Sequence, residues 1–186
     1  MKTLSPLAIL LVLGACAVPP PGPTASLPAD AVIGAGDPLR SAIANTSVAF
    51  GSPQRLAGRP AEAAQAVAQM EYLAVEIPNN PRYPGISPTV GHQFAAARHE
   101  WRTSLGIPEN LPPQPVIESL YAASRALRGG QAGAAAVALP SSVFPQGGQT
   151  AVLRLSSLPD LPATNEASVA ATEALRRHDG LGRGRF

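Results

Sequence analysis

Residues 60–77 read PAEAAQAVAQMEYLAVEI, and this stretch decides the fold. Proline suits a first helical position, because its φ is preset and a helix start has no partner for the missing N–H. Beyond Pro60 the side chains of Ala63, Val67, Met70, Ala74 and Ile77 recur three or four residues apart, which lines them along one face of a helix. Pro78 then closes the segment. The run is far longer than an ordinary strand and is rich in alanine, the strongest helix former.

The same punctuation recurs on both sides. Asp37-Pro38 is a capping residue followed by proline, and Leu39, Ala42, Ile43, Thr46 and Phe50 follow at helical spacing. Ser87-Pro88 opens another helix with Val90, Phe94, Ala97, Trp101 and Leu105 on one face. Pro115 opens a third, in which Val116, Leu120, Ala123 and Leu127 align before Gly129-Gly130 stops it. A short alanine-rich helix spans Gln131 to Leu139, and a last one spans Asn165 to Arg177 with Asn165 as its cap. Thr150 to Leu155 has the β-branched content of a strand, but a single strand would have no partner, so a short helix after Gly147-Gly148 is expected. The helices flanking Gly129-Gly130 resemble one unit of a tetratricopeptide array, yet no second copy follows at about 34 residues. Aromatic residues make up only 4% of the chain, so small side chains must build the core, which favours closely packed helices. The expected fold is all-α: an irregular bundle of about five to six short helices joined by Pro/Gly-rich loops, after a disordered N-terminal tether.

Upstream of this domain the chain has a different character. Lys2 precedes a mostly apolar run, Leu4 to Leu13, which ends in Leu13-Gly14-Ala15-Cys16, the layout of an export signal. The segment resembles the lipobox signal of bacterial lipoproteins, and the resemblance covers this signal alone. It implies cleavage before Cys16, acylation of that cysteine, and attachment to the envelope of a bacterial cell. Ala17 in place of aspartate implies the outer membrane, with the domain facing the periplasm. Several acyl chains on one residue would hold the protein firmly, whereas a single chain binds a bilayer only marginally. Ala15-Cys16-Ala17 also fits a small-x-small site whose cleavage would release a soluble protein. A spanning anchor needs about 20 apolar residues, and Pro6 and Pro19-Pro20-Pro21 interrupt the run. The chain thus divides into a signal peptide at 1–15, a lipidated cysteine and proline-rich tether at 16–36, a helical domain at 37–178, and a flexible basic tail at 179–186.

Composition narrows the chemistry. Net charge is +2 and charged residues make up 14%, which argues against a nucleic-acid partner. Lys2 is the only lysine, so the domain has no Walker-type phosphate loop, Schiff-base lysine or Ser-Lys dyad. Cys16 is the only cysteine, which leaves no thiol for a disulfide, a zinc site or a nucleophile. No Gly-x-Ser-x-Gly elbow occurs, and three scattered histidines form no recognisable triad. No cofactor is implied.

Three places invite a functional reading. Arg98 and Arg102 flank the apolar stripe carrying Trp101, and two guanidinium groups beside an indole could grip a small anion. The loop from Asn79 to Gly85, with Arg82 and Tyr83, concentrates the polar, aromatic and turn residues of binding loops. The structural alternative is that the arginine stems cover the helix edge and their heads pair with acids such as Glu100 or Glu109. His92 and His99 stand seven residues apart, about 10.5 Å along a helix. They lie nearly opposite Phe94 and Trp101, so they belong to the solvated face and no metal site is assigned. Val116-Ile117-Glu118-Ser119 resembles the start of the lytic transglycosylase motif, in which the glutamate is catalytic. The Phe and Pro that follow in that motif are missing, as is its Met-Gln step. The alternative for Glu118 is a first-turn glutamate favoured at a helix amino end. The four arginines at Arg176, Arg177, Arg183 and Arg185 could touch anionic lipid or cell-wall polymer, or simply solubilise the tail. The expected function is a membrane-anchored envelope lipoprotein carrying a non-catalytic binding or scaffold domain. Its partners would be the lipid bilayer, through acylated Cys16, and an envelope protein or cell-wall component. A peptidoglycan-cleaving enzyme using Glu118 and a carrier of small anionic ligands using Arg98, Trp101 and Arg102 are the alternatives.

Overall fold

The computed structural model describes residues 24–32, 36–80, 82–83, 86 and 88–183, of which 181–183 are described by backbone alone. The signal segment and Cys16 lie outside the described residues. Among these residues are seven α-helices and no strand: α1 (Pro38–Ala49), α2 (Pro60–Asn79), α3 (Pro88–Leu105), α4 (Pro113–Arg128), α5 (Ala132–Val137), α6 (Gly148–Ser156) and α7 (Pro162–Arg183). Single 3-10 turns occupy Ala29–Ala31 and Pro53–Arg55. The fold is the expected all-α bundle; its seven helices match the seven segments read from the sequence, one more than the expected total of about five to six.

Proline sets the starts of α1, α2, α3, α4 and α7. At α1 the Asp37 side chain completes the cap, accepting from Leu39 N at 2.9 Å and Arg40 N at 3.1 Å. The start of α4 is Pro113 rather than Pro115. Its stop is as read: Gly129 caps the helix, and Gly130 takes a left-handed φ of 70° that other residues adopt only with strain. Pro78 does not close α2. It sits in the last turn, where a missing N–H costs one bond, and the Asn79 amide donates to Val75 O at 2.8 Å.

The central helix is α2, which α1, α3, α4 and α6 surround. The expected single face was an underestimate, since Ala61, Ala64, Ala66, Ala68, Leu73 and Val75 are buried as well, while Ala74 is only half-buried. Alanine on every side lets four helices approach one axis closely. The stripe on α3 is correct throughout: Val90, Phe94, Ala97, Trp101 and Leu105 are all at most 3% exposed. Residues 148–156 form a helix, which packs on α5 and α2.

α7 departs most from expectation. It begins at Pro162, and Asn165 does not cap it; the Asn165 amide donates instead to Phe50 O at 2.6 Å. The cap comes from another helix. Glu100 on α3 accepts from Ala163 N at 3.1 Å, Thr164 N at 2.8 Å and Thr164 Oγ1 at 2.6 Å, placing a carboxylate at the positive end of the helix. At the other end the helix continues to Arg183, where a flexible segment was expected from 179. Asp179 is held there by Arg40 of α1 through two bonds of 2.8 and 2.5 Å.

Two glycines make the α5–α6 packing testable. A Cβ on Gly148 would overlap the Ala136 carbonyl, 2.7 Å from its carbon, and lie 2.8 Å from Leu139 O, whereas one on Gly133 would meet nothing within 4 Å. Gly148→Ala is therefore expected to destabilise the domain by about 3 kcal/mol, and Gly133→Ala, inside α5, to stabilise it by about 0.5–1 kcal/mol. Urea unfolding of both variants measures the opposite signs.

Candidate functional site

The three residues singled out on α3 converge, but on a carboxylate rather than a cleft. Trp101 Nε1 donates to Glu71 Oε1 at 2.8 Å, and Arg102 grips both oxygens, Nε to Oε1 at 2.6 Å and Nη2 to Oε2 at 2.8 Å. Arg98 Nε reaches Oε2 at 3.2 Å from the half-exposed edge. Positions i, i+3 and i+4 share one face of a helix, so all three meet the same group on α2. The remaining guanidinium nitrogen, Arg102 Nη1, donates to the carbonyls of Pro108, Glu109 and Leu111 at 2.8, 3.0 and 3.0 Å and thereby fastens the α3–α4 loop. Trp101, Arg102 and Glu71 are each 0% exposed. Every side-chain polar atom of these three residues is engaged internally, and the apolar pocket that a ligand carrier would need beside Trp101 is filled by the indole itself. The expected partners Glu100 and Glu109 are replaced by Glu71, although Glu109 contributes its carbonyl.

The loop residues also turn inward. Tyr83 is 5% exposed, and its hydroxyl donates to Asp37 Oδ2 at 3.0 Å. Its ring packs 5.2 Å from that of His178 and under the Arg40 guanidinium, which lies 5.6 Å from the ring centre. Burial and the bond to Asp37 push the Tyr83 hydroxyl above the usual tyrosine range. Arg82 stays in solvent, 3.9 Å from Asp37 Oδ2. This cluster ties α1, the α2–α3 loop and α7 together; it is a structural knot. The Arg40 guanidinium holds Asp179 down at about 2.

Glu118 lies on the exposed face of α4, two residues further from the helix start than expected, and accepts from Gln114 Nε2 at 2.9 Å. His92 and His99 are exposed as expected, with His99 Nδ1 3.1 Å from Glu109 Oε1. Among the described residues, no group of three His, Cys, Asp or Glu side chains could hold a metal ion, and no helix is long and apolar enough to cross a membrane.

A groove that no sequence motif announced lies between α1, the turn after it, and α2. It encloses about 310 Å³ and is lined by Asn45, Val48, Ala49, Arg55, Leu56, Arg59, Glu62, Gln65, Ala66 and Gln69. Glu62, Gln65 and Gln69 follow one face of α2 at spacings of three and four. Gln65 Oε1 accepts from Arg128 Nη2. The side chains of Arg55, Arg59 and Glu62 make no hydrogen bond or ion pair among the described residues. Gln69 is 1% exposed, and its Nε2 has no hydrogen-bond partner. The Tyr121 hydroxyl of α4 lies beside that amide; burial pushes its pKa up, and the neighbouring Gln69 amide opposes the shift. The one sequence signal available was a polar side chain, Gln69, inside an otherwise apolar run. Elsewhere, Val137 and Leu153 expose 81% and 68% of their surface, on α5 and α6 respectively. Comparison with protein-family models, with curated proteins and with solved structures finds no match.

The Glu71 cluster predicts strongly coupled mutations. Glu71→Gln leaves the Arg102 charge buried without its counterion and is expected to cost about 3–5 kcal/mol, as is Arg102→Met, which strands the carboxylate. The double variant Glu71→Gln/Arg102→Met should lose less than the sum of the single variants, and denaturant unfolding of the cycle measures the difference. The Arg40–Asp179 pair makes the end of α7 acid-sensitive. Because the folded pKa is depressed, the pair's stabilisation is complete above the unfolded value of 3.8 and disappears as the pH falls through about 2. Amide exchange near residue 179 should accelerate across that window, and Asp179→Asn should show fast exchange at neutral pH as well.

Proposed function

We propose that this chain is an envelope lipoprotein, anchored through acylated Cys16, whose helical domain is a non-catalytic binding module. The observation that carries the binding role is the α1–α2 groove, where Arg55, Arg59 and Glu62 make no hydrogen bond or ion pair among the described residues. Several other chemistry-bearing side chains are engaged in holding the fold: Glu71 by Trp101 and Arg102, Glu100 by the start of α7, Asp37 by α1 and Tyr83. Small-anion binding, on this reading, belongs to the groove rather than to the helix bearing Trp101. Support for the anchor comes from Leu13-Gly14-Ala15-Cys16 and the positively charged, apolar segment before it. Glu118 lies exposed on α4, where the neighbouring Gln114 amide donates to it, which disfavours the peptidoglycan-cleaving alternative.

The full chain, expressed in a bacterium that processes lipoproteins and fed labelled palmitate, is expected to take up label and sediment with membranes. Cys16→Ser should abolish both. Incubation of the purified chain with cell-wall sacculi should release no soluble muropeptides; release that Glu118→Gln removes would establish the enzyme instead.

A further inference from the structure

Part of the segment before α1 is packed on the bundle. Ala25 N donates to Glu76 Oε1 at 3.1 Å and Ser26 N to Gln114 Oε1 at 2.9 Å, which seats this stretch between the last turn of α2 and the first turn of α4. Further along, Asp30 accepts from Arg125 Nε at 2.7 Å and from Arg125 Nη2 at 2.9 Å. Gln114 and Arg125 stand about 16 Å apart along α4, so residues 24–32 follow that helix for most of its length. Leu27 packs against the core and Ala31 is buried in it. The Asp30–Arg125 pair is exposed and adds little by itself, so the apolar contacts and the two bonded backbone amides carry the docking. The stretch enters at a definite end of the bundle. Glu76 lies in the last turn of α2, and Tyr83, in the loop that follows, touches Asp37 at the start of α1 and His178 near the end of α7. The groove between α1 and α2 is lined from the first half of α2, toward the other end.

We propose that residues 24–32 are a strap that turns the α2 carboxyl end of the domain toward the bilayer and the α1–α2 groove away from it. The inference rests on the anchor at Cys16 proposed above. Lengths decide the matter. From Cys16 to Ala25 there are nine residue steps, which span at most about 30 Å. The 20 residues of α2 are themselves about 30 Å long, and the α1–α2 turn lies beyond their start. An inverted domain would need a tether that runs past the whole bundle, which nine residues cannot supply. With the strap released, the 21 steps from Cys16 to Asp37 reach about 70 Å, and either end can then face the lipid. The strap thus sets both the height of the domain and the side it shows to soluble partners.

The test uses the acylated full chain in phosphatidylcholine vesicles that carry an energy acceptor on their headgroups. Acylation occupies Cys16, the only native cysteine, so an introduced thiol takes a donor dye alone. His92→Cys places the dye beside Pro78 at the α2 carboxyl end, and Ala57→Cys places it on the turn before α2; both positions are exposed. Transfer from position 92 should exceed that from position 57 several-fold. Leu27→Asp/Asp30→Arg, which introduces a charge against the core and opposes Arg125, should bring the two signals together while Trp101 emission stays unchanged. The milder Asp30→Arg alone should narrow the gap. In the lipid-free Cys16→Ser chain the Ala25 and Ser26 amides should exchange several-fold more slowly than in an unstructured peptide, and the double strap variant should remove that protection. The proposal is overturned if those amides are unprotected, if the two positions transfer alike with the strap intact, or if the double variant preserves the contrast. Any of these results with palmitate labelling intact removes the strap and leaves the anchor standing. Absence of labelling with the amides still protected removes the anchor, and the orientation with it.

Discussion

One buried carboxylate governs this domain. Glu71 sits on the central helix with no exposure and is held by Trp101 and by both faces of the Arg102 fork. Desolvating a carboxylate and a guanidinium is expensive, and only full pairing with good geometry offsets it. The pairing therefore admits little rotation of α2 about its axis relative to α3. Five of the thirteen buried residues of α2 are alanine, which is small and nearly featureless, so apolar packing alone defines the register weakly. The cluster selects one. Through its other nitrogen Arg102 also fixes the loop leading into α4, the helix that packs most extensively on α2.

That choice of rotation is what creates the groove. Glu62, Gln65 and Gln69 share a face of α2 that the Glu71 pairing turns away from α3, toward α1 and the turn carrying Arg55 and Arg59. The same helix thus spends Glu71 on internal order, buries Gln69 beside Tyr121 of α4, and presents Glu62 and part of Gln65 to the outside.

The helices were legible because proline punctuates this chain so consistently. Pro38, Pro60 and Pro88 each opened a helix where the spacing of alanine, valine and leucine demanded one. Long-range pairings were not legible. Arg98, Trp101 and Arg102 could be seen to share a face, yet nothing local distinguishes a face turned to a cleft from one turned to a buried acid on another helix. Glu71, flanked by Met70 and Tyr72 in an apolar run, was the available sign of a buried partner. Asn165 was read as a cap from its position, but Glu100, distant in sequence, takes that role in space. The groove escaped notice because its residues come from three segments whose proximity only the fold creates.

The enclosure of Trp101 has a practical consequence. It is the only tryptophan in the chain, it is 0% exposed, and its indole N–H is bonded to the carboxylate that sets the α2–α3 register. Its fluorescence is thus a native reporter of that register, blue-shifted while the cluster is closed and red-shifted once water reaches the ring. Trp101 is not among the residues that line the α1–α2 groove, so occupancy there should leave the emission maximum unmoved. The molecule carries a built-in optical gauge of core integrity that is blind to its candidate ligand.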